Sequence, residues 1–114
     1  MKKIIIVAIC SIALFSCGTS AKSLYSWSGY NDAVYAYSKK HDDASLKELM
    51  SVCENLINNP LGARGVPAPG LCSDYGYLLI QSGQVDKGKY YLKKEMELYP
   101  ESKPFIDGFL KRFE

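Results

Sequence analysis

The sequence predicts an all-α domain of about five helices behind a short apolar leader. Two observations carry the helical reading: beyond Tyr30 apolar residues recur at three- and four-residue spacing, and no alternating strand pattern competes with them. A third sets the domain apart, because the first 16 residues differ sharply in composition from the rest. The chain has 114 residues, room for one domain.

The leader begins with Lys2-Lys3, continues through an apolar run from Ile4 to Phe15 and ends in Ser16-Cys17-Gly18-Thr19-Ser20. A charged start, an apolar run and a small residue at the end have the layout of a secretory signal. The run is too short for a membrane span, which needs roughly 20 apolar residues. Leu14-Phe15-Ser16-Cys17 resembles the lipobox of bacterial lipoproteins. The competing reading is an ordinary signal peptide with a chance cysteine. The resemblance implies cleavage before Cys17, a diacylglyceryl group on its sulfur and an acyl chain, such as palmitate, on its amine. Each buried methylene contributes about 0.8 kcal/mol, and two or more chains hold a protein stably. An aspartate after the cysteine tends to retain lipoproteins in the inner membrane; Gly18 stands there, which implies the outer membrane, facing the periplasm. The expected organisation is a signal peptide over 1–16, a lipidated cysteine and tether over 17–23, and a helical domain over 24–114.

Loss of the leader changes the charge. The full chain carries a formal +2, but removing Lys2 and Lys3 leaves twelve basic against twelve acidic residues. A neutral domain lacks the basic patch that nucleic acid requires, so no nucleic-acid partner is expected. His41 is the only histidine and no C-x-x-C occurs, so no metal site and no cofactor are expected. No Ser/His/Asp constellation or Gly-rich phosphate loop is present either, and the protein reads as a non-enzyme.

Tyr30, Ala33, Val34 and Tyr37 form the stripe of a first helix, which Asn31 or Asp32 is expected to start. A second helix is expected from Ser45, where Ser45 and Glu48 have capping-box spacing, with Leu46, Leu49, Met50, Cys53, Leu56 and Ile57 on its buried face. Asn58-Asn59-Pro60 ends it, and a Gly/Pro-rich connection runs to Gly70. That connection is long for a helical hairpin, and it reads either as a functional loop or as a slack connector.

Cys72, Tyr75, Gly76, Leu79, Gly83, Gly88, Leu92 and Pro100 have spacings that resemble a tetratricopeptide repeat, a helix-turn-helix with small residues where the helices cross. Gly76 and Gly88 fall where the small pair belongs, and Pro100 where the closing proline does. Glu95 departs from the pattern, at a position usually small, and is expected to widen the packing or face lysines. A generic helical hairpin is the alternative. Ser102 is expected to cap a last helix with Pro104 in its first turn, whose stripe of Phe105, Ile106, Phe109, Leu110 and Phe113 closes the preceding hairpin.

Cys53 and Cys72 are the only cysteines of the mature domain. Antiparallel neighbouring helices would bring them to one level, and an oxidising periplasm favours a disulfide between them. Closing about 20 residues would stabilise the domain by roughly 3 kcal/mol. Nine tyrosines and one tryptophan exceed what a small core needs. They read either as a partner-binding surface, with Trp27, Tyr30, Tyr37 and Tyr77 as candidate anchors, or as half-buried core residues with wet hydroxyls.

The lipobox, Leu24-Tyr25-Ser26-Trp27 with Tyr30, the Pro67–Gly70 turn, Gly76 and Pro100-Glu101-Ser102 together resemble the small bacterial lipoproteins of domain of unknown function 4810. Members tend to be encoded beside a lipoprotein similar to the curli secretion channel. The resemblance implies a membrane-anchored adaptor for another envelope lipoprotein and assigns no catalytic residues. An envelope structural or glycan-binding role is the alternative, favoured by exposed aromatics with carboxylates along one groove; a thiol redox role ranks third.

Overall fold

The computed structural model describes Gly18 and residues 21–114. Cys17, where lipid is expected, and the leader lie outside the described residues. Among the described residues five α-helices follow in order: α1 (Tyr30–Lys40), α2 (Asp43–Asn58), α3 (Leu71–Gln81), α4 (Val85–Leu98) and α5 (Lys103–Leu110). Turns of 3-10 helix occupy Pro100–Ser102 and Lys111–Phe113. No strand occurs among the described residues, so the all-α expectation is met. No helix among them is long and apolar enough to cross a membrane.

Two helix starts differ from expectation. Neither Asn31 nor Asp32 begins α1; Gly29 does, at φ 78°, its carbonyl accepting from Ala33 N at 3.1 Å. Asp32 sits inside the first turn, where a negative charge favours the helix dipole. Asp42, rather than Ser45, caps α2: its Oδ1 accepts from Ser45 N at 2.8 Å and from the Ser45 hydroxyl. Those Ser45 hydrogen bonds hold the Asp42 carboxyl below its ordinary range. The acid offers a charged acceptor one turn upstream, so Ser45 becomes a donor within the helix. Between α1 and α2, His41 takes φ 50° and donates its N–H to Tyr37 O at 2.9 Å. The lone histidine therefore ends a helix.

The core lies between α2 and the α3–α4 hairpin. Leu49, Cys53, Leu56 and Ile57 of α2 meet Leu71, Cys72, Tyr75 and Leu79 of α3, with Ala33 of α1 and Tyr91 of α4 completing the cluster. Inside the hairpin the glycine pair faces itself. A Cβ on Gly76 would lie 2.8 Å from Gly88 O, and one on Gly88 2.6 Å from Gly76 O. Only glycine on both sides permits this approach, and Leu79 and Leu92 fill the space beside it.

The long connection is neither slack nor part of a groove described below. Ala63 N and Arg64 N donate to Ser23 O and Leu24 O, at 2.8 and 3.1 Å. A Cβ on Gly62 would strike Leu24 O, so glycine is needed for the strands of chain to touch. Tyr99 donates its hydroxyl to Pro67 O, and Pro67 and Ala68 are buried. The polypeptide is thus tied down from Ser23 onward.

Glu95 overturns the expectation attached to it. It faces no lysine; it is buried to 2 % exposure, and its Oε1 accepts from Gly70 N at 2.6 Å. Gly70 starts α3 without a side chain to cap it, and the carboxylate of α4 supplies the acceptor across the hairpin. Burial pushes the Glu95 pKa up, while the backbone amides of Gly70, Ser73 and Cys72 pull it down. Oε2 has no hydrogen-bond partner of good geometry, so the desolvation wins.

The last helix also departs from expectation. Ser102 makes no cap bond; its hydroxyl donates to Tyr99 O at 2.7 Å because the Pro100–Ser102 turn already begins the helical path. Of the apolar stripe on α5 only Ile106 is buried, while Phe109 and Leu110 are half-buried. Phe105 is 78 % exposed and Phe113 is also exposed. An eight-residue helix offers too narrow a contact to bury so wide a stripe.

Candidate functional site

Several unburied aromatic residues gather on one face, although the exposed Tyr35 and Tyr90 line neither of its grooves. Helical spacing places Asp74 and Tyr77 on the same side of α3, and Tyr75 on the opposite side, facing the core. On one flank of the Asp74–Tyr77 ridge lies a groove of about 220 Å³ lined by Tyr30, Val34, Leu49 and Leu78. On the other lies a groove of about 190 Å³ lined by Ser73, Leu92, Phe105, Ile106 and Phe109. Asp74 and Tyr77 border both. Helices α1, α3 and α5 therefore share one surface, with α3 as its spine.

Aromatic contacts run across that surface. Trp27 and Tyr30 have ring centroids 5.2 Å apart, Tyr77 and Phe109 5.8 Å, and Phe109 and Phe113 5.2 Å. Tyr30 donates its hydroxyl to Asp74 Oδ2 at 2.6 Å, which fixes the α1 edge to the spine. Burial, followed by that bond and the Asp74 charge, pushes the Tyr30 phenol above its ordinary pKa, so it stays a donor. Gln81 donates to the Tyr77 hydroxyl at 2.8 Å and steadies the ring.

Three of the four candidate anchors come together here and one does not. Trp27 and Tyr77 are exposed, and Tyr30 is half-buried at the edge of its groove. Tyr37, like Tyr30, packs against the core, but its ring stands edge-on to His41 at 5.5 Å and it neither lines a groove nor, as Trp27 does, touches a ring that lines one. It lies two turns along α1, beyond the groove linings. Asp74, Val34, Phe105 and Phe109 were not among the candidates. Phe105 and Phe109 carried a signal, being four apart on one helix face, but apolar spacing alone does not distinguish a stripe that buries from one that stays open.

A larger cleft, about 480 Å³, opens on the opposite face of α3 and includes Asp43, Lys47, Glu54, Tyr75 and Lys87. Lys87 Nζ sits 3.4 Å from Glu54 Oε1 and 5.7 Å from the Tyr75 ring centroid. Two of its four charged side chains pair, Lys87 with Glu54, and Leu46, Met50, Tyr75 and Leu79 give it apolar walls as well.

The disulfide expected between Cys53 and Cys72 is not formed here. Both thiols are free, fully buried and members of one core cluster. Burial above all pushes Cys53 up to about 12 and Cys72 up to about 11, so both are held as neutral thiols. A thiol held so far from ionisation is a poor nucleophile for exchange. Among the described residues no group of three or more His, Cys, Asp or Glu side chains is placed to hold a metal ion.

Helical hairpins with an unfilled aromatic face define a small all-α domain of the kind that presents a surface. The chain belongs to the family described as Domain of unknown function (DUF4810), whose profile matches residues 24–109. No curated protein and no solved structure matches it.

Proposed function

We propose that this protein is a lipoprotein anchored through Cys17 in the outer membrane, facing the periplasm, and that its helical domain is a non-catalytic adaptor. The α1–α3–α5 face grips another envelope protein, as an accessory to a lipoprotein assembly like the curli secretion channel. The observation that carries the reading is the pair of grooves sharing Asp74 and Tyr77, floored by the buried Leu49, Leu78, Leu92 and Ile106 and rimmed by Val34, Tyr77 and Phe105, which a monomer leaves exposed. Aromatic residues exposed in a contiguous patch suit a surface that desolvates in a complex. The tetratricopeptide-like spacing around Gly76 and Gly88 and the lipobox add support. The chain is tied to the loop from Ser23, six residues after Cys17, a reach of at most ~20 Å. The face works close to the membrane.

The test is affinity capture from detergent-solubilised membranes with the native lipoprotein and with a Tyr77→Ala/Phe109→Ala variant. A second envelope lipoprotein should co-purify with the native protein and be lost from the variant, while Cys17→Ala should release the protein from the membrane fraction. Recovery of the native protein alone would overturn the adaptor reading.

Glycan binding is the second reading, drawing on the same rings and on Asp74. It fits less well because a sugar needs several polar partners per ring, and apart from tyrosine hydroxyls the groove linings offer only Ser73 and Asp74. Titration with soluble peptidoglycan fragments distinguishes the two.

A further inference from the structure

Resting on the adaptor reading, we infer that the partner presents an extended segment with a lysine or arginine at Asp74 and a large apolar side chain in the Phe105–Phe109 groove. The inference starts from charge. Across both groove linings Asp74 is the one residue with a formal charge, and no lysine, arginine or histidine lines either. Among the described residues the one salt bridge joins Lys87 to Glu54, so no cation of the domain neutralises Asp74. Asp74 is exposed, and only one of its oxygens is engaged, by Tyr30.

Tyrosines flank that carboxylate. Tyr30 is bonded to it, with Trp27 packed behind at 5.2 Å, and Tyr77 lies on the same helix face with Phe109 at 5.8 Å. A carboxylate flanked by tyrosines attracts an ammonium or guanidinium through its charge, and a neighbouring ring can add its quadrupole to that attraction. An anion or a neutral polar group gains neither. The first-turn position of Asp74 accounts for an acid there, yet it does not account for the flanking tyrosines.

Groove size selects the neighbouring side chain. Each groove, at about 190 and 220 Å³, is smaller than the roughly 300–1,000 Å³ of clefts that enclose a whole small molecule. Each therefore takes a side chain of a longer segment. Because the grooves meet at Asp74 and Tyr77, one segment crossing the ridge fills an apolar pocket and sets its cation on the ridge within a few residues. The partner site is thus a basic residue flanked closely by leucine, isoleucine, methionine or an aromatic.

The experiment selects binders from a random library of short displayed peptides against the mature native domain and against Asp74→Asn. Asparagine keeps the shape and can still accept from Tyr30, so the fold is preserved. Native selections should enrich a lysine or arginine beside a large apolar residue, and Asp74→Asn selections should keep the apolar residue while losing the basic one. For the best native binder, Asp74→Asn should weaken affinity about tenfold, and much less when its basic residue is replaced by norleucine. Binding of the native pair should also fall with added salt. Peptides enriched without a basic preference, or a preference that persists in Asp74→Asn, would overturn the inference while leaving the adaptor reading intact. A library yielding no binder sensitive to Tyr77→Ala/Phe109→Ala would overturn both.

Discussion

Two neighbours pack against α3 in opposite ways. On the α4 side Gly76 and Gly88 bring two backbones into contact, and everything beside them is buried. On the α5 side no glycine mediates the approach: Gly108 of α5 has nothing within 4 Å of where a Cβ would stand. There bulky rings stand between the helices, of the α5 stripe Ile106 alone is buried, and a groove stays open. The difference shows how one helix can have a closed side and an open one. Small residues close an interface down to the backbone, whereas aromatic ones wedge it apart and leave surface open.

The glycines offer the sharpest way to break this comparison, because the same substitution should have opposite signs on the two sides. Gly88→Ala places a Cβ 2.6 Å from Gly76 O and 2.5 Å from Ile80 Cγ1, and the first of these contacts is backbone. The helices must part, at a cost of about 1–3 kcal/mol that outweighs alanine's better helix propensity. At this chain length each kcal/mol lowers the melting temperature by roughly 4–8 °C, which circular dichroism reads directly. Gly108→Ala meets open space and should stabilise by about 0.5–1 kcal/mol, since glycine inside a helix costs backbone entropy. Equal effects of the two changes would mean that the interfaces are not closed and open as described.

This contrast also marks what was legible in the sequence. The glycine pair, the buried leucines of α2 and the five helices follow from spacing, since close approach and helical periodicity are local patterns. The acceptor for Gly70 was not legible, because the acid that supplies it lies 25 residues away on α4. Caps misread by a few residues, as at Asp42, reflect competition between adjacent polar groups for the same amides. The groove was half visible. Trp27, Tyr30 and Tyr77 stand out as excess aromatics, but Asp74 has meaning only once α1 and α5 flank α3, and spacing alone does not show that Tyr37 falls beyond the groove that Tyr30 lines.

A smaller effect separates the closed side's one buried charge from its apolar surroundings. Glu95 has its pKa raised by burial, so the folded state binds its proton more tightly than the unfolded chain does. Its stabilising contribution is fully present below the ordinary carboxylate value of 4.5 and is lost as pH rises through the elevated folded value. Glu95→Gln keeps an acceptor for Gly70 N and removes the titration. Urea denaturation should therefore find the variant's advantage over the native domain greatest at neutral pH and shrinking steadily toward pH 4.5. A difference independent of pH would show that Glu95 is not desolvated as its position between α4 and the start of α3 requires.

The smallest expected effect on stability belongs to the open side, and it discriminates most. Phe105 is 78 % exposed, so Phe105→Ser removes little buried area, and the change in stability should lie within about 0.5 kcal/mol. A buried phenylalanine of a core would cost about 3–5 kcal/mol when truncated. Thermal melts of the mature domain decide between these values, and a drop of the second size would place Phe105 inside the fold. If stability is unchanged while co-purification of a partner is lost, the phenylalanine is retained for an intermolecular contact. Water disfavours so large an exposed ring, and within the monomer only Ile106 of the α5 stripe is fully buried. The open side is then the half of the molecule whose packing is completed by another chain.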